Sequence, residues 1–215
     1  MVATKNIQNS TTSFLQELVN YSGEIIVKGF NSAQFEKMTA QFPELRMERE
    51  KNGNITIMAP IAGFGGQREN KLSIYLGTWA LKKKMGETFS PSTGFILPDG
   101  STKSPDASWL SNENLKKVKA AYSGKGFLPV VPDFVIELRS KTDNLKKLKD
   151  KMEKTWVKNG IQLGWLIDPY HEKAYIYRSD GSIEIVTGFE NKLSGETILP
   201  DFELDLNELR LTDGH

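Results

Sequence analysis

The chain contains no cysteine. That absence excludes disulfides, thiolate metal sites and thiol nucleophiles. Histidine is scarce: His171 follows Pro169 in a turn and His215 ends the chain. Ser–His catalysis and histidine-ligated metals therefore have little to draw on. No apolar run approaches the roughly 18 residues of a membrane span. Met1 to Asn9 lacks the apolar segment of a secretory signal, so a cytoplasmic setting is expected. An excess of one charge is also missing, since the formal net charge is +1. A nucleic-acid surface would have to be a local patch. Gly63, Gly65 and Gly66 lack the spacing and the Gly-Lys-Ser/Thr ending of a phosphate-cradling loop.

What is present is enough for one large domain, at 215 residues with 4 Trp and 11 Phe for a core. Residues 1–30 read as an N-terminal extension, with a short helix over Ser13 to Tyr21 and a short strand over Glu24 to Val27. Residues 31–215 read as a single domain. Asn31-Ser32 caps a helix that Pro43 ends. Leu45 to Glu48 and Ile55 to Ile57 form a hairpin around Asn52-Gly53. A Gly-rich loop spans Ala59 to Gly66, and a helix runs from about Gln67 to Lys84 with Leu72, Leu76 and Trp79 on one face. Short strands flank the turn Pro98-Asp99-Gly100, and a polar, Lys-rich connection runs from Asn112 to Lys125. Phe134 to Leu138 is a central strand. A helix from about Asn144 to Lys158 stops at Asn159-Gly160. Gly164 to Ile167 is another apolar strand. Lys173 to Arg178 and Ser182 to Thr187 form a hairpin over Asp180-Gly181, and Leu206 to Leu211 a last short helix. This order predicts an α/β (α+β) fold, a mixed sheet with helices against it.

The chemistry concentrates on three acids and two cations. Glu137 and Arg139 end the apolar central strand, and alternation puts both on one face. They can hold a metal and steady an anion, or form a plain ion pair. Glu69 lies three residues before Leu72 and seven before Leu76, on the apolar side of its helix, although a first-turn acid is also favoured there by the helix dipole. Asp106 follows Pro105 and precedes a short strand. Buried acids pair with something or bind metal, and oxygen donors without Cys or His suit Mg²⁺ or Mn²⁺. On the helix after the central strand, Leu145, Leu148, Met152 and Trp156 form the inner stripe. Lys151 lies at one edge of it and Lys149, its rival, at the other. Lysines 141, 146, 147, 149, 151, 154 and 158 read most simply as a solvated face.

Pro105-Asp106, followed by Glu137-Leu138-Arg139, resembles the PD-(D/E)XK nuclease signature. A closer resemblance is to the Uma-type family of restriction-endonuclease-like proteins. It rests on Pro105-Asp106-Ala107-Ser108, on Pro132-Asp133-Phe134-Val135-Ile136-Glu137-Leu138-Arg139-Ser140, on the lysine-bearing helix, and on Gly160-Ile161 leading to Gly164-Trp165-Leu166-Ile167-Asp168-Pro169. The resemblance spans about Phe35 to Leu206. It implies a restriction-endonuclease-like core, a central mixed sheet of about four strands flanked by helices, with the site at one end. It implies that Asp106, Glu137 and the carbonyl of Leu138 bind Mg²⁺ or Mn²⁺, with Glu69 as the acid of the first core helix. Two departures stand out. Arg139 occupies the position where Lys is the norm, which leaves Lys151 to supply a lysine from the helix. The spacing from Lys151 to Gly160 is one residue longer than is usual in the family.

The resemblance implies a metal-dependent endonuclease acting on DNA phosphodiesters, with Lys151 or Arg139 meeting charge on the phosphate. A homodimer would bring two sites to two strands. An always-charged Arg139 cannot act as a base, which keeps a second reading open: a nuclease-fold protein without activity that binds nucleic acid or a protein partner. A third, an unrelated α/β enzyme acting on a small phosphate ester, fits the carboxylates but not the extended motif block.

Overall fold

The computed structural model describes residues 24–58, 63–122 and 124–211; the helix expected over 13–21 and part of the loop 59–66 lie outside them. The first elements are β1 (Glu24–Val27), α1 (Ser32–Gln41), β2 (Arg46–Arg49) and β3 (Ile55–Met58). α1 starts where the sequence places it. The Asn31 side chain accepts from the Gln34 N–H while the Gln34 side chain accepts from the Asn31 N–H, a reciprocal cap. β2 and β3 form the expected hairpin over Asn52-Gly53. Gly53 has φ +85, and a Cβ there would stand 2.7 Å from the Phe30 carbonyl oxygen. β1, within the stretch read as an extension, pairs antiparallel with β3. With β5 (Phe95–Ile96) and β6 (Thr102–Lys103), these strands make a five-stranded sheet in the order β1-β3-β2-β6-β5. Phe35, Met47, Ile55 and Ile57 form its own small core.

A larger six-stranded sheet has the order β11-β10-β9-β8-β7-β4. Its strands are β4 (Gly86–Phe89), β7 (Ala107–Ser111), β8 (Phe134–Leu138), β9 (Leu163–Asp168), β10 (Lys173–Arg178) and β11 (Ile183–Thr187). β8 and β9 run parallel, and the other pairs are antiparallel. This is the mixed sheet flanked by helices that the sequence predicts, with six strands where the resemblance implies about four. α2 (Phe64–Lys83) covers one face, with Leu72, Leu76 and Trp79 packed on Phe134, Ile136 and Trp165. The helix connecting β8 to β9 covers the other face, with Met152 and Trp156 packed on Val135, Leu166 and Tyr175. Alternation along β8 thus sends Phe134 and Ile136 to one core, and Val135 and Glu137 to the other.

Four features depart from the sequence reading. Residues expected to form a polar connection are instead a helix, α3 (Asn112–Ala121), capped by Ser111. Among its described side chains two apolar residues are buried, Leu115 and Val118, three apart on one side, so its lysines hide the period. α2 begins at Phe64, inside the glycine stretch rather than after it. The connecting helix is α4 (Leu145–Lys151) for its first seven residues and then a π-helix over Met152–Val157. Strands β12 (Lys192–Ser194) and β13 (Glu203–Asp205), too short to register in the sequence, form a hairpin before a 3₁₀ turn at Leu206–Leu209. The hairpin's Leu193 and Leu204 join the core under α2.

Candidate active site

β7 pairs with β8 so that Ala107 faces Ile136. One further step of that antiparallel register sets Asp106 opposite Glu137, where side chains are near neighbours on one face. The Leu138 N–H donates to Asp106 Oδ2 at 2.7 Å, which fixes the carboxylate against the end of β8. Asp106 Oδ1 accepts from Arg46 Nη2 at 2.9 Å. Arg46 Nη1 lies 3.6 Å from Glu69 Oε1, too far for a hydrogen bond, and that buried oxygen accepts none. Glu69 thus reaches the strand ends from α2, and Arg46 stands between it and Asp106.

Glu137 is 3 % exposed. Its Oε1 accepts from the Trp156 indole N–H at 2.7 Å and lies 2.8 Å from Lys151 Nζ. Lys151 also donates to Glu48 Oε1 at 3.0 Å. Glu48 in turn accepts from the Ser104 N–H at 3.1 Å and from the buried Lys103 at 3.2 Å, and Lys103 also pairs with Glu50. The rival Lys149 instead sits 4.0 Å above the Tyr175 ring.

Arg139 continues the β8 ladder, its N–H donating to the Ile167 carbonyl. Its guanidinium is taken up elsewhere. Nη1 contacts both oxygens of the fully buried Asp168 at 3.1 and 3.0 Å and lies 2.9 Å from His171 Nδ1. Nε donates to the Asp143 carbonyl at 3.3 Å. Arg139 and Glu137 share a strand face, but they are not each other's partners.

Five residues at the site escape sequence reasoning: Arg46, Glu48, Glu50, Lys103 and Trp156. The first two come from β2, which reads Arg-Met-Glu-Arg. Met47 points into the small core, so Arg46 and Glu48 point to the other face. The alternation is visible in the sequence, but nothing there says that this face meets the end of β8. Lys103, nearly fully buried, has no local signal, because the carboxylates that permit its burial are 53 and 55 residues away. Trp156 reads as core, and its indole N–H is the part that was missed.

Five carboxylates (Glu48, Glu50, Glu69, Asp106, Glu137) face three cations (Arg46, Lys103, Lys151) along this chain of contacts. The excess of acid appears in the proton affinities. Burial pushes Glu137 up to about 7 against the pull of Lys151, and the charges of Asp106 and Glu48 push the same way. Burial and the nearby Asp106 push Glu69 up to about 7, with Arg46 opposing. Burial acts to lower Lys151, but Glu137 and Glu48 outweigh it and hold the ammonium above the usual lysine range. Crowded carboxylates that hold protons near neutral pH, one of them with an unpartnered buried oxygen, fit a divalent cation. Among the described residues no group of three or more acidic or histidine side chains is placed to hold an ion by itself. A cleft of about 330 Å³ opens on the α2 side of the large sheet, lined by Asn70, Ser73 and Leu76 of α2, Thr88 to Pro91 and Ala107.

The putative restriction endonuclease family Uma2 matches residues 32–207. Among solved structures, the chain is similar to a putative nuclease belonging to DUF820 from Anabaena variabilis. That similarity has a TM-score of 0.63 at 18 % identity and covers 79 % of this chain and 95 % of that one. No match is found among curated proteins. Among the described residues no helix is long and apolar enough to cross a membrane. The family match takes in every residue placed at the site above, and this chain belongs to the Uma2 family of putative restriction endonucleases.

Proposed function

We propose that the protein is a metal-dependent endonuclease that hydrolyses phosphodiester bonds of DNA. The observation that carries this reading is the meeting of two acids at the end of β8, where the Leu138 N–H donates to Asp106 and the Lys151 ammonium lies 2.8 Å from Glu137. Asp106, Glu137 and the Leu138 carbonyl would hold Mg²⁺ or Mn²⁺. Bound there, the ion would polarise a phosphate and lower the pKa of a water. Lys151 stays charged and would meet the negative charge that builds on the phosphoryl oxygens. Trp156 and Lys151 hold Glu137 Oε1, and the Leu138 N–H and Arg46 hold Asp106, so both carboxylates are oriented before a ligand arrives. Glu69 would add an acid from the α2 side. Arg139, committed to Asp168, supports the strand end, and Lys151 takes the role usually given to the lysine at its position.

One observation favours a second reading, a nuclease-fold protein that binds without cutting: the Arg46 guanidinium already neutralises Asp106. A single assay separates the two. Supercoiled plasmid and single-stranded DNA are incubated with the protein and Mg²⁺ or Mn²⁺, beside Glu137→Ala. Nicking by the wild type that falls at least a hundredfold in the variant supports catalysis here. DNA binding without metal-dependent nicking supports the second reading, and equal nicking by both proteins places the activity outside this site.

A further inference from the structure

Lys151 and Trp156 are five residues apart, yet both meet the same oxygen of Glu137. In a regular α-helix, residues five apart point about 140° away from each other at 100° per residue. There Thr155, four residues on, would stand above Lys151. The helix is not regular at this point. It passes from α to π between Lys151 and Met152 and stays so to Val157. An i→i+5 ring widens the turn by one residue and brings positions five apart onto one side. Lys151 Nζ accordingly lies 6.0 Å from the Trp156 ring centroid, over its face. The wide turn closes before Gly160 (φ +102), which ends the helix.

We infer that Trp156 is a positioning residue for Glu137, delivered by the π-turn: its N–H, with Lys151, occupies Oε1 and leaves Oε2 for the metal. The inference rests on the Asp106–Glu137 reading above and adds to it the device that makes Glu137 a one-oxygen ligand. A neutral donor suits the task. It orients the carboxylate without adding a second full charge to compete with the cation. The geometry also separates Trp156 from the other buried tryptophans. Trp109 and Trp165 have indole nitrogens with no hydrogen-bond partner, and Trp79 donates to the Pro200 carbonyl.

The test is Mn²⁺ affinity, measured by isothermal titration calorimetry on the full chain, with thermal unfolding alongside. Trp156→Phe keeps the aromatic bulk and loses the N–H. It should bind Mn²⁺ about tenfold more weakly. Trp156→His restores a ring N–H at the same number of bonds from Cβ and should recover most of that loss despite its smaller volume, which a merely structural role would not allow. Deleting the exposed Lys154 turns the five-residue separation into four, so a regular helix would hold the same pair together. Affinity within about threefold of wild type is expected for it. Unchanged Mn²⁺ affinity in Trp156→Phe overturns the role of Trp156 while leaving the metal site standing. A folded Lys154 deletion that no longer binds overturns the role of the π-turn. A wild-type chain that binds no Mn²⁺, or binds it equally after Glu137→Ala, overturns the underlying reading and this inference with it.

Discussion

Glu48 is the residue on which the buried charges balance. It has 6 % exposure and three donors, Lys103, Lys151 and the Ser104 N–H. Burial pushes its pKa up, but the two ammonium groups and the amide outweigh it and hold it at about 2, against an ordinary 4.5. A carboxyl whose folded pKa lies below its unfolded one stabilises the fold above the unfolded value. That contribution is lost as pH falls from about 4.5 toward 2. Glu48→Gln should therefore cost about 3 kcal/mol at neutral pH, since it takes one of two carboxylate partners from each of Lys103 and Lys151. The gap from wild type in urea unfolding should close between pH 4.5 and 2. A gap that stays constant down to pH 2 would show that Glu48 stabilises by packing rather than charge. Arg139 poses the complementary case. Asp168 has no exposure and depends on it, so Arg139→Ala should destabilise by about 3 kcal/mol. Mn²⁺ affinity should hold within a factor of two or three, because no contact ties Arg139 to Asp106 or Glu137. A tenfold loss of Mn²⁺ affinity at unchanged stability would return Arg139 to the metal site.

At the scale of elements, what could be read from the sequence was what is encoded locally. β8, β9 and the hairpins over Gly53 and Gly181 follow from short apolar runs and turn glycines, and α1 from its cap. From those elements and the motif block, Asp106, Glu137 and Lys151 could be placed in one region. α3 could not be read, because two buried residues give too faint a period, and β4 could not because four residues do not establish an alternation. The π-turn was invisible for a different reason: propensity is counted per residue, whereas the extra residue in the turn shows only against a fixed partner such as Glu137. β4 shows how tightly such a short strand can nonetheless be specified. A Cβ on Gly86 would lie 2.0 Å from the Leu110 carbonyl oxygen and 2.7 Å from the Trp109 ring. The nearest atom is backbone of the paired strand and cannot rotate away. Gly86→Ala should cost about 3 kcal/mol, read as a fall in Tm. Gly164→Ala meets only the ends of Met152 and Ile161 side chains at 2.6 and 2.7 Å and should cost less. Equal falls in Tm would mean that β4 yields at the edge of the sheet as readily as the core does.

Seen as a whole molecule, the site is a seam between two sheets. The large sheet brings Asp106 and Glu137, and the small sheet brings Arg46, Glu48 and Lys103. Lys103 pairs with Glu48 inside the small sheet, whereas Arg46 reaches across to Asp106 and Lys151 bridges Glu48 to Glu137, so these two cations join the sheets at the candidate site. Arg46 is the clearest link: it spans Asp106 at the large sheet's end and Glu69 on α2. A divalent cation on Asp106 would meet the same negative charge that Arg46 now neutralises, so the two should substitute for one another in holding the seam closed. Arg46→Gln leaves Asp106 and Glu69 uncompensated and should lower stability by about 2 kcal/mol in EDTA. Mn²⁺ should then restore more stability to the variant than it adds to wild type, since stabilisation by a ligand grows with the logarithm of its affinity for the folded state. The measurement is Tm across a Mn²⁺ titration for both proteins. A steeper rise in the variant supports exchange of guanidinium for metal at one place. Parallel curves would mean that Arg46 and the cation sit at separate places in the seam, and that Asp106 serves only one of them.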